Sequence, residues 1–203
     1  MITLEGIQAS GKSTISDYLA ELLDIPFVPF GTRYTNVYET LVSYDGNYKR
    51  FDIVSLFRRM LTMKCAQFDG LRFFLQDAFI TNEYYHVLHH SCDLPQEEQT
   101  DALKLIIDML NYGNVQHEPI AFYLHISTEE SNRRRLLKRS GESAQLNFTD
   151  EELKIFEDGD KKRMDMLHFA AQCIPNFYIL DNSGNMETTI EEILTILEKE
   201  HGF

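Results

Sequence analysis

Cations are scarce in this chain. Of its 203 residues, Lys and Arg contribute 19 against 32 Asp and Glu, for a formal net charge of −13 at pH 7. That balance excludes a protein that coats long nucleic acid or an anionic membrane, since both recruit basic surfaces. A small anionic ligand stays possible if the few cations are gathered in one place. Cysteine is scarcer still: Cys65, Cys92 and Cys173 are odd in number and widely spaced. They define no disulfide framework, so a reducing compartment is expected. No apolar run approaches the ~18 residues that a membrane-spanning helix needs. The 10 Gly and 5 Pro are too few for a linker-rich or collagenous chain. The opening residues show no cationic segment ahead of an apolar one, so no signal peptide and a cytoplasmic location are expected.

What is present is ordinary globular material, 43% apolar and 25% charged. The length suits one domain with a full core, over residues 1–203. Short apolar runs predict strands at Met1–Leu4, Pro26–Phe30, Leu71–Leu75, Ile120–Ile126 and Phe177–Leu180. Amphipathic stretches predict helices at Ser13–Leu23, Phe51–Phe68, Thr100–Tyr112, Thr128–Arg139, Asp150–Ala171 and Thr188–Glu200. Such alternation implies an α/β fold: a five-stranded parallel sheet with right-handed crossovers and helices on both faces, a three-layer sandwich. Ser140–Asn147 is polar and lies between two helical patterns, which marks a mobile loop. A short lid over about residues 135–149 is expected there. Thr149 followed by Asp150-Glu151-Glu152 reads as a capped, dipole-matched helix start.

Gly6-Ile7-Gln8-Ala9-Ser10-Gly11-Lys12-Ser13 fits G-x-x-x-x-G-K-[ST] at every fixed position, between an apolar strand and a helix. The chemistry needs these residue types. Glycines let the backbone curl with its N–H groups pointing at phosphate oxygens. The following helix, which includes Thr14, aims its positive end at the anion. Lys12 reaches the outer phosphates, and the Ser13 hydroxyl suits a Mg²⁺ that bridges them. This pattern implies binding of a nucleoside triphosphate such as ATP.

Two further features point to phosphoryl chemistry. Arg133-Arg134-Arg135-Leu136-Leu137-Lys138-Arg139 crowds five of the 19 cations into seven positions. Arg135 and Arg139 share a helix face, and guanidinium forks suit a transferring phosphoryl group. A solvated helix end explains the same run more blandly. Asp77 follows the third predicted strand, and ligands in such sheets gather outside the carboxyl ends of strands. It is a candidate for Mg²⁺ positioning or for taking a proton from a substrate hydroxyl, with helix capping as the alternative. By contrast, His86, His89, His90 and Cys92 lack a second ligand group at zinc spacing. Phe73, Phe74, Phe79, Tyr84 and Tyr85 read as core and pocket wall.

In this order the pieces resemble the thymidylate kinase and deoxynucleoside kinase group, with the thymidylate kinases the nearest look. The opening MITLEGIQASGKST looks like the start of a thymidylate kinase. Asp77-Ala78-Phe79-Ile80-Thr81-Asn82 sits where that family has Asp-Arg-Tyr-x-x-Ser, and Arg135-x-x-x-Arg139 looks like its lid arginines. Phe177–Ser183 is similar to its last strand and the loop beside adenine, which implies an ATP contact for Asn182 and Ser183. The resemblance spans the whole chain. It implies a P-loop kinase fold, ATP and Mg²⁺ as cofactors, a nucleotide or nucleoside acceptor, and a homodimer. Lys12, Asp77, Arg135 and Arg139 become the expected catalytic residues, with Ser13 and Asp77 serving the metal.

Departures from the pattern matter for the acceptor. Ala78 replaces an arginine that holds the acceptor's phosphate in the family, and Gln8 stands where many members carry an acid. Leu61 stands where a base-reading arginine is expected, with Arg58 and Arg59 near enough to substitute and Phe57 placed to stack on a base. Nucleoside kinases place a carboxylate base just after strand two. Here Phe30-Gly31-Thr32-Arg33-Tyr34 has no acid before Glu39. Arg33 suits a phosphate, so a nucleoside monophosphate acceptor is expected, dTMP to dTDP the best single choice. Arg33, Phe57, Arg58, Arg59, Phe79 and Asn82 are its candidate contacts. A deoxynucleoside kinase, a kinase of a modified base, and a nucleotide-binding regulator impaired by Ala78 are the alternatives.

Overall fold

A computed structural model describes residues 1–28, 75–77, 104, 119–140 and 148–203, with the backbone but not the side chains of Gln76, Asp77, Arg139 and Ser140. Several expectations lie outside the described residues. They are Arg33, Phe57, Arg58, Arg59, Ala78, Phe79 and Asn82, the histidine cluster, and the loop at 141–147. Both helices expected over Phe51–Phe68 and Thr100–Tyr112 also lie outside, apart from Lys104.

The described elements run β1 (Ile2–Glu5), α1 (Lys12–Leu23), β2 (Phe27–Val28), β3 (Leu75–Asp77), β4 (Ile120–His125), α2 (Thr128–Ser140), α3 (Asp150–Cys173), β5 (Asn176–Asp181) and α4 (Met186–His201). The strands form one sheet in the order β2-β3-β1-β4-β5. All neighbours are parallel, with Leu4 opposite Asp77 and Glu5 opposite Tyr123. β1 is central, so the loop that leaves its carboxyl end starts in the middle of the sheet.

Side chains alternate across a strand, and the register carries that alternation from one strand to the next. On one face Ile2, Leu4, Leu75, Ile120, Phe122, Leu124 and Leu180 are buried against Ile15 and Leu19 of α1 and Ile190, Ile193 and Leu197 of α4. Tyr178 stacks on Phe122 across that face, with centroids 5.3 Å apart. The opposite face carries Thr3, Glu5, Ala121 and Tyr123, all fully buried. There His168 of α3 meets the Tyr123 ring edge-on at 6.1 Å.

Helix ends follow local chemistry. The Thr149 hydroxyl accepts from the Glu152 N–H at 3.2 Å, while the Glu152 carboxylate accepts from the Thr149 N–H at 2.8 Å, a complete capping box. α4 starts at Met186 rather than Thr188 because the Asn185 side chain already caps the Glu187 N–H at 3.1 Å. α3 runs on to Cys173 and stops where Ile174 turns extended. β3 is displaced from its expected end at Leu75. It continues through Asp77 because its pairing with β1 persists there, so Asp77 is the last strand residue rather than one beyond the strand.

Candidate functional site

The turn from β1 into α1 is built on three residues with positive φ: Gly6 at 150°, Ala9 at 60° and Gly11 at 90°. A Cβ at Gly6 would lie 2.9 Å from the Leu124 carbonyl oxygen, so the loop can cross β4 only as glycine. A Cβ at Gly11 would come within 3.1 Å of the Asn182 amide nitrogen. Ala9 holds the left-handed conformation without glycine's freedom, which costs about 1 kcal/mol and has to be offset by the surroundings.

Those surroundings are hydrogen bonds to the loop's own carbonyls. Lys12 Nζ donates to Gly6 O at 3.1 Å and to Ile7 O at 2.8 Å, and reaches Ser10 Oγ at 3.5 Å. From α2, Ser131 Oγ donates to Gln8 O at 2.7 Å. From the residue after β5, Asn182 Nδ2 donates to Ser10 O at 2.6 Å. Loop curvature, an ammonium folded across it and a helix beginning at Lys12 make a cradle for an anion. Ser13 and Thr14 lie exposed in the first turn of α1. The Cα of Asp77, at the carboxyl end of β3, is opposite that of Leu4, so its backbone stands beside the strand that feeds this loop.

The cationic run does not act as one block. Glu130 binds Arg133 through two contacts at 2.7 Å and Arg134 through one at 2.7 Å. Those hydrogen bonds, Arg133 first, hold the Glu130 carboxyl down at about 2. Arg134 also donates to the Asn182 carbonyl at 2.6 Å, which ties α2 to the end of β5. Arg135 turns away from its neighbours. It is buried, pairs with Asp160 of α3 at 2.7 Å, bonds Asn132 at 2.9 Å and lies 4.5 Å above the Phe156 ring. Arg163 adds a longer contact to the same Asp160 oxygen at 3.4 Å. Nearby, burial and the Asp160 charge push the Tyr123 phenol up to about 12. Its oxygen lies 3.1 Å from His125 Nδ1.

Of the expected site residues, the structure brings Gly6 through Thr14 together with Asn182. Asn182 does not present its side-chain amide at the surface, as an adenine contact would. It is buried, giving Nδ2 to Ser10 and taking the Thr189 hydroxyl on Oδ1 at 2.7 Å. Ser183 is exposed; its side chain first, and then its N–H, which donates to Asp181 at 2.9 Å, hold the Asp181 carboxyl below its usual range. Arg135 stands in the α2–α3 contact, and the side chain of Arg139 lies outside the described residues. Sequence reasoning passed over Ser131, Asp160 and Thr189. Ser131 carried a usable signal, because it lies just beyond the carboxyl end of β4, where ligand-supporting groups collect. Asp160 and Thr189 carried none, each being a polar residue inside a helical pattern.

No protein-family model matches the sequence, and no curated protein sequence matches it. Solved structures do. Deoxyadenosine kinase from M. mycoides with bound dATP superposes at a TM-score of 0.62 with 21% identity, over 98% of this chain and 99% of that one. The chain has that fold. The M. mycoides kinase with its products dCMP and a flexible dCDP gives 0.58 at 21% identity, over 97% of this chain and 98% of that one. With bound dCTP it gives 0.54 at 17% identity, over 97% and 98% of the two chains. This end-to-end likeness covers the sheet and the loop at its centre.

Proposed function

We propose that the chain is an ATP-dependent kinase that phosphorylates a deoxynucleoside. The observation that carries the phosphoryl-transfer reading is the loop between β1 and α1. It has positive φ at Gly6, Ala9 and Gly11, an N-terminal helix end behind it, and Lys12 folded across it. That is a device for holding the phosphates of a nucleotide. The deoxynucleoside acceptor is supported by the fold, shared end to end with the M. mycoides deoxyadenosine kinase.

In this reading Lys12 exchanges its carbonyl partners for the outer phosphates and neutralises charge as it develops on the transferring group. The site fits Mg²⁺ as such sites usually do. The exposed Ser13 hydroxyl is a hard oxygen donor, and no cluster of three acidic or imidazole groups stands ready among the described residues. Ser13 and, from the end of β3, Asp77 are the residues that would hold Mg²⁺ beside the phosphates. When bound it would offset the negative charge of the phosphates. Asp77 alternatively accepts the proton of the acceptor hydroxyl. Arg139 and Arg135 supply further positive charge, Arg135 only if it leaves Asp160.

A second reading keeps a nucleoside monophosphate as acceptor, dTMP to dTDP foremost. Arg33 and the lack of an acid between the second strand and Glu39 favour it. ADP release, measured across a panel of deoxynucleosides and nucleoside monophosphates, tests both. Release with deoxynucleosides alone supports the first, and release with monophosphates alone replaces it with the second. Tight ATP binding with no acceptor-dependent release defeats both in favour of a regulator. Lys12→Ala should lower the active turnover about 10³-fold with circular dichroism unchanged. Retained turnover in that variant would remove Lys12 from the mechanism.

A further inference from the structure

Asn182 connects parts of the chain that are far apart in sequence. Its own N–H donates to the His125 carbonyl at 2.8 Å, which continues the β4–β5 ladder by one step. Its carbonyl accepts from Arg134 at 2.6 Å. Its side chain reaches the phosphate-binding loop at Ser10 O and is itself held by Thr189 Oγ1. Both Asn182 and Thr189 are nearly inaccessible, at 2% and 3% exposure. Thr189 is in the first turns of α4, and Ile190, Ile193 and Leu197 anchor that helix in the core. The relay thus runs from a fixed helix through one amide to one carbonyl of the loop.

That carbonyl has a particular consequence. Ser10 C=O and Gly11 N–H belong to one peptide unit, which is trans and planar. In such a unit the two bonds point in opposite directions. Holding Ser10 O toward Asn182 therefore turns Gly11 N–H the opposite way, away from Asn182. Gly11 itself has a φ of 90°, where little intrinsic preference keeps the plane in place. The bond from the Asn182 amide supplies what the residue lacks.

We propose that Thr189 is a positioning residue for triphosphate binding. By fixing the Asn182 amide, it orients the Ser10–Gly11 peptide so that the Gly11 N–H is preset toward a nucleotide phosphate. This rests on the kinase reading insofar as the loop holds a nucleoside triphosphate. Thr189 touches no ligand, and its effect passes through Asn182. Removing the hydroxyl leaves Asn182 Oδ1 buried without its donor, so the amide leaves its place or flips. Either change frees Ser10 O, and the loop must then order itself as the phosphate binds.

The test uses the full chain and a non-hydrolysable ATP analogue with Mg²⁺, with Kd from calorimetry and KM and kcat from ADP release. Thr189→Val keeps the shape and deletes the hydroxyl. It should weaken analogue binding and raise the KM for ATP about tenfold, with kcat within about twofold. Thr189→Ser restores the hydroxyl and should restore affinity. Ile193→Val lowers stability from the same buried helix face without touching Asn182, and should leave Kd unchanged. Should Thr189→Val fail to fold, Asn182→Asp serves instead: it places a carboxylate oxygen against Ser10 O and should weaken binding further. Wild-type affinity in Thr189→Val, or in Asn182→Asp where that variant stands in, overturns the proposal. So does an equal loss in Ile193→Val, or no recovery in Thr189→Ser. If the wild-type chain binds no analogue, it is the kinase reading that fails.

Discussion

On one face of the sheet, Ile2, Leu4, Phe122 and Leu124 meet Ile15, Leu19, Ile193 and Leu197, and α1 and α4 are held by carbon packed on carbon. On the other, Thr3, Glu5 and Tyr123 are buried, and beyond them Asp160 and Arg135 pair between α3 and α2. Apolar packing stabilises in proportion to the area removed from water and is indifferent to direction. A buried ion pair contributes little net stability, since desolvation offsets attraction, but it has one good geometry. The first face therefore supplies a fixed base for the phosphate-binding loop. The second supplies directional contacts that decide how α2, with its arginines, stands over that base.

The largest expected effect tests this contrast. Asp160→Ala leaves the Arg135 guanidinium buried without its carboxylate, and should destabilise the chain by about 3–5 kcal/mol. In thermal unfolding that is a fall on the order of 10 °C. Replacing both partners, Arg135→Met with Asp160→Leu, should recover most of the loss, because the buried Arg135 guanidinium is removed together with its carboxylate. Leu124→Ala, on the aliphatic face, should cost about as much through its cavity, and no single partner substitution should rescue it. A double variant as unstable as Asp160→Ala would show that the pair does not define its face.

Arg135 also shows where sequence reasoning stopped. The phosphate-binding loop was legible because its chemistry is local: two glycines, a lysine and a serine at fixed spacing, between a strand and a helix. The strands and helices among the described residues were legible for the same reason. The run of arginines was seen, but not the three separate destinations of Arg133, Arg134 and Arg135. Arg133 stays on Glu130 within α2, but Arg134 also reaches Asn182, 48 residues away, and Arg135 reaches Asp160, 25 residues further on. Such pairs exist only once α2 has packed against α3 and the end of β5. Asn182 was noticed by its place after the last strand, yet its role turned inward, because the amide has two buried partners in Ser10 and Thr189.

A second, smaller effect follows from Tyr123. Burial, then the Asp160 charge, raises its phenol from 10 to about 12 in the folded chain. Below pH 10 the group is protonated in both folded and unfolded chains and its contribution is constant. Between pH 10 and 12 the unfolded chain releases the proton and the folded chain does not, so stability falls with rising pH. The share from Tyr123 is on the order of 2–3 kcal/mol. Tyr178 is also raised to about 12, by burial and then by Glu200, but it is partly exposed and solvent screens its share. Urea unfolding at pH 9 and pH 11.5 should show this fall in the wild type and a clearly shallower one in Tyr123→Phe. Equal slopes in the two proteins would mean that the polar face does not shield the phenol.

The smallest effect separates the two faces most cleanly. Ile193→Val removes one methylene beneath the sheet, one helical turn from Thr189, and should cost roughly 1 kcal/mol. Its loss is apolar area plus a small void, felt equally in free and nucleotide-bound protein, so nucleotide affinity should not move. Ser131→Ala removes a hydroxyl of similar size from α2, and with it the 2.7 Å bond to Gln8 O. That bond orients the Gln8–Ala9 peptide at the strained Ala9, so here the ATP-analogue Kd should rise, several-fold, for a stability loss near 1 kcal/mol. Calorimetric binding beside urea unfolding on both variants gives two numbers for each. If affinity followed stability in the same proportion for both, directional contacts would add nothing to what packing already does. If only Ser131→Ala weakens binding, the loop's shape is set by the bonds that hold its carbonyls, and the aliphatic face merely carries it.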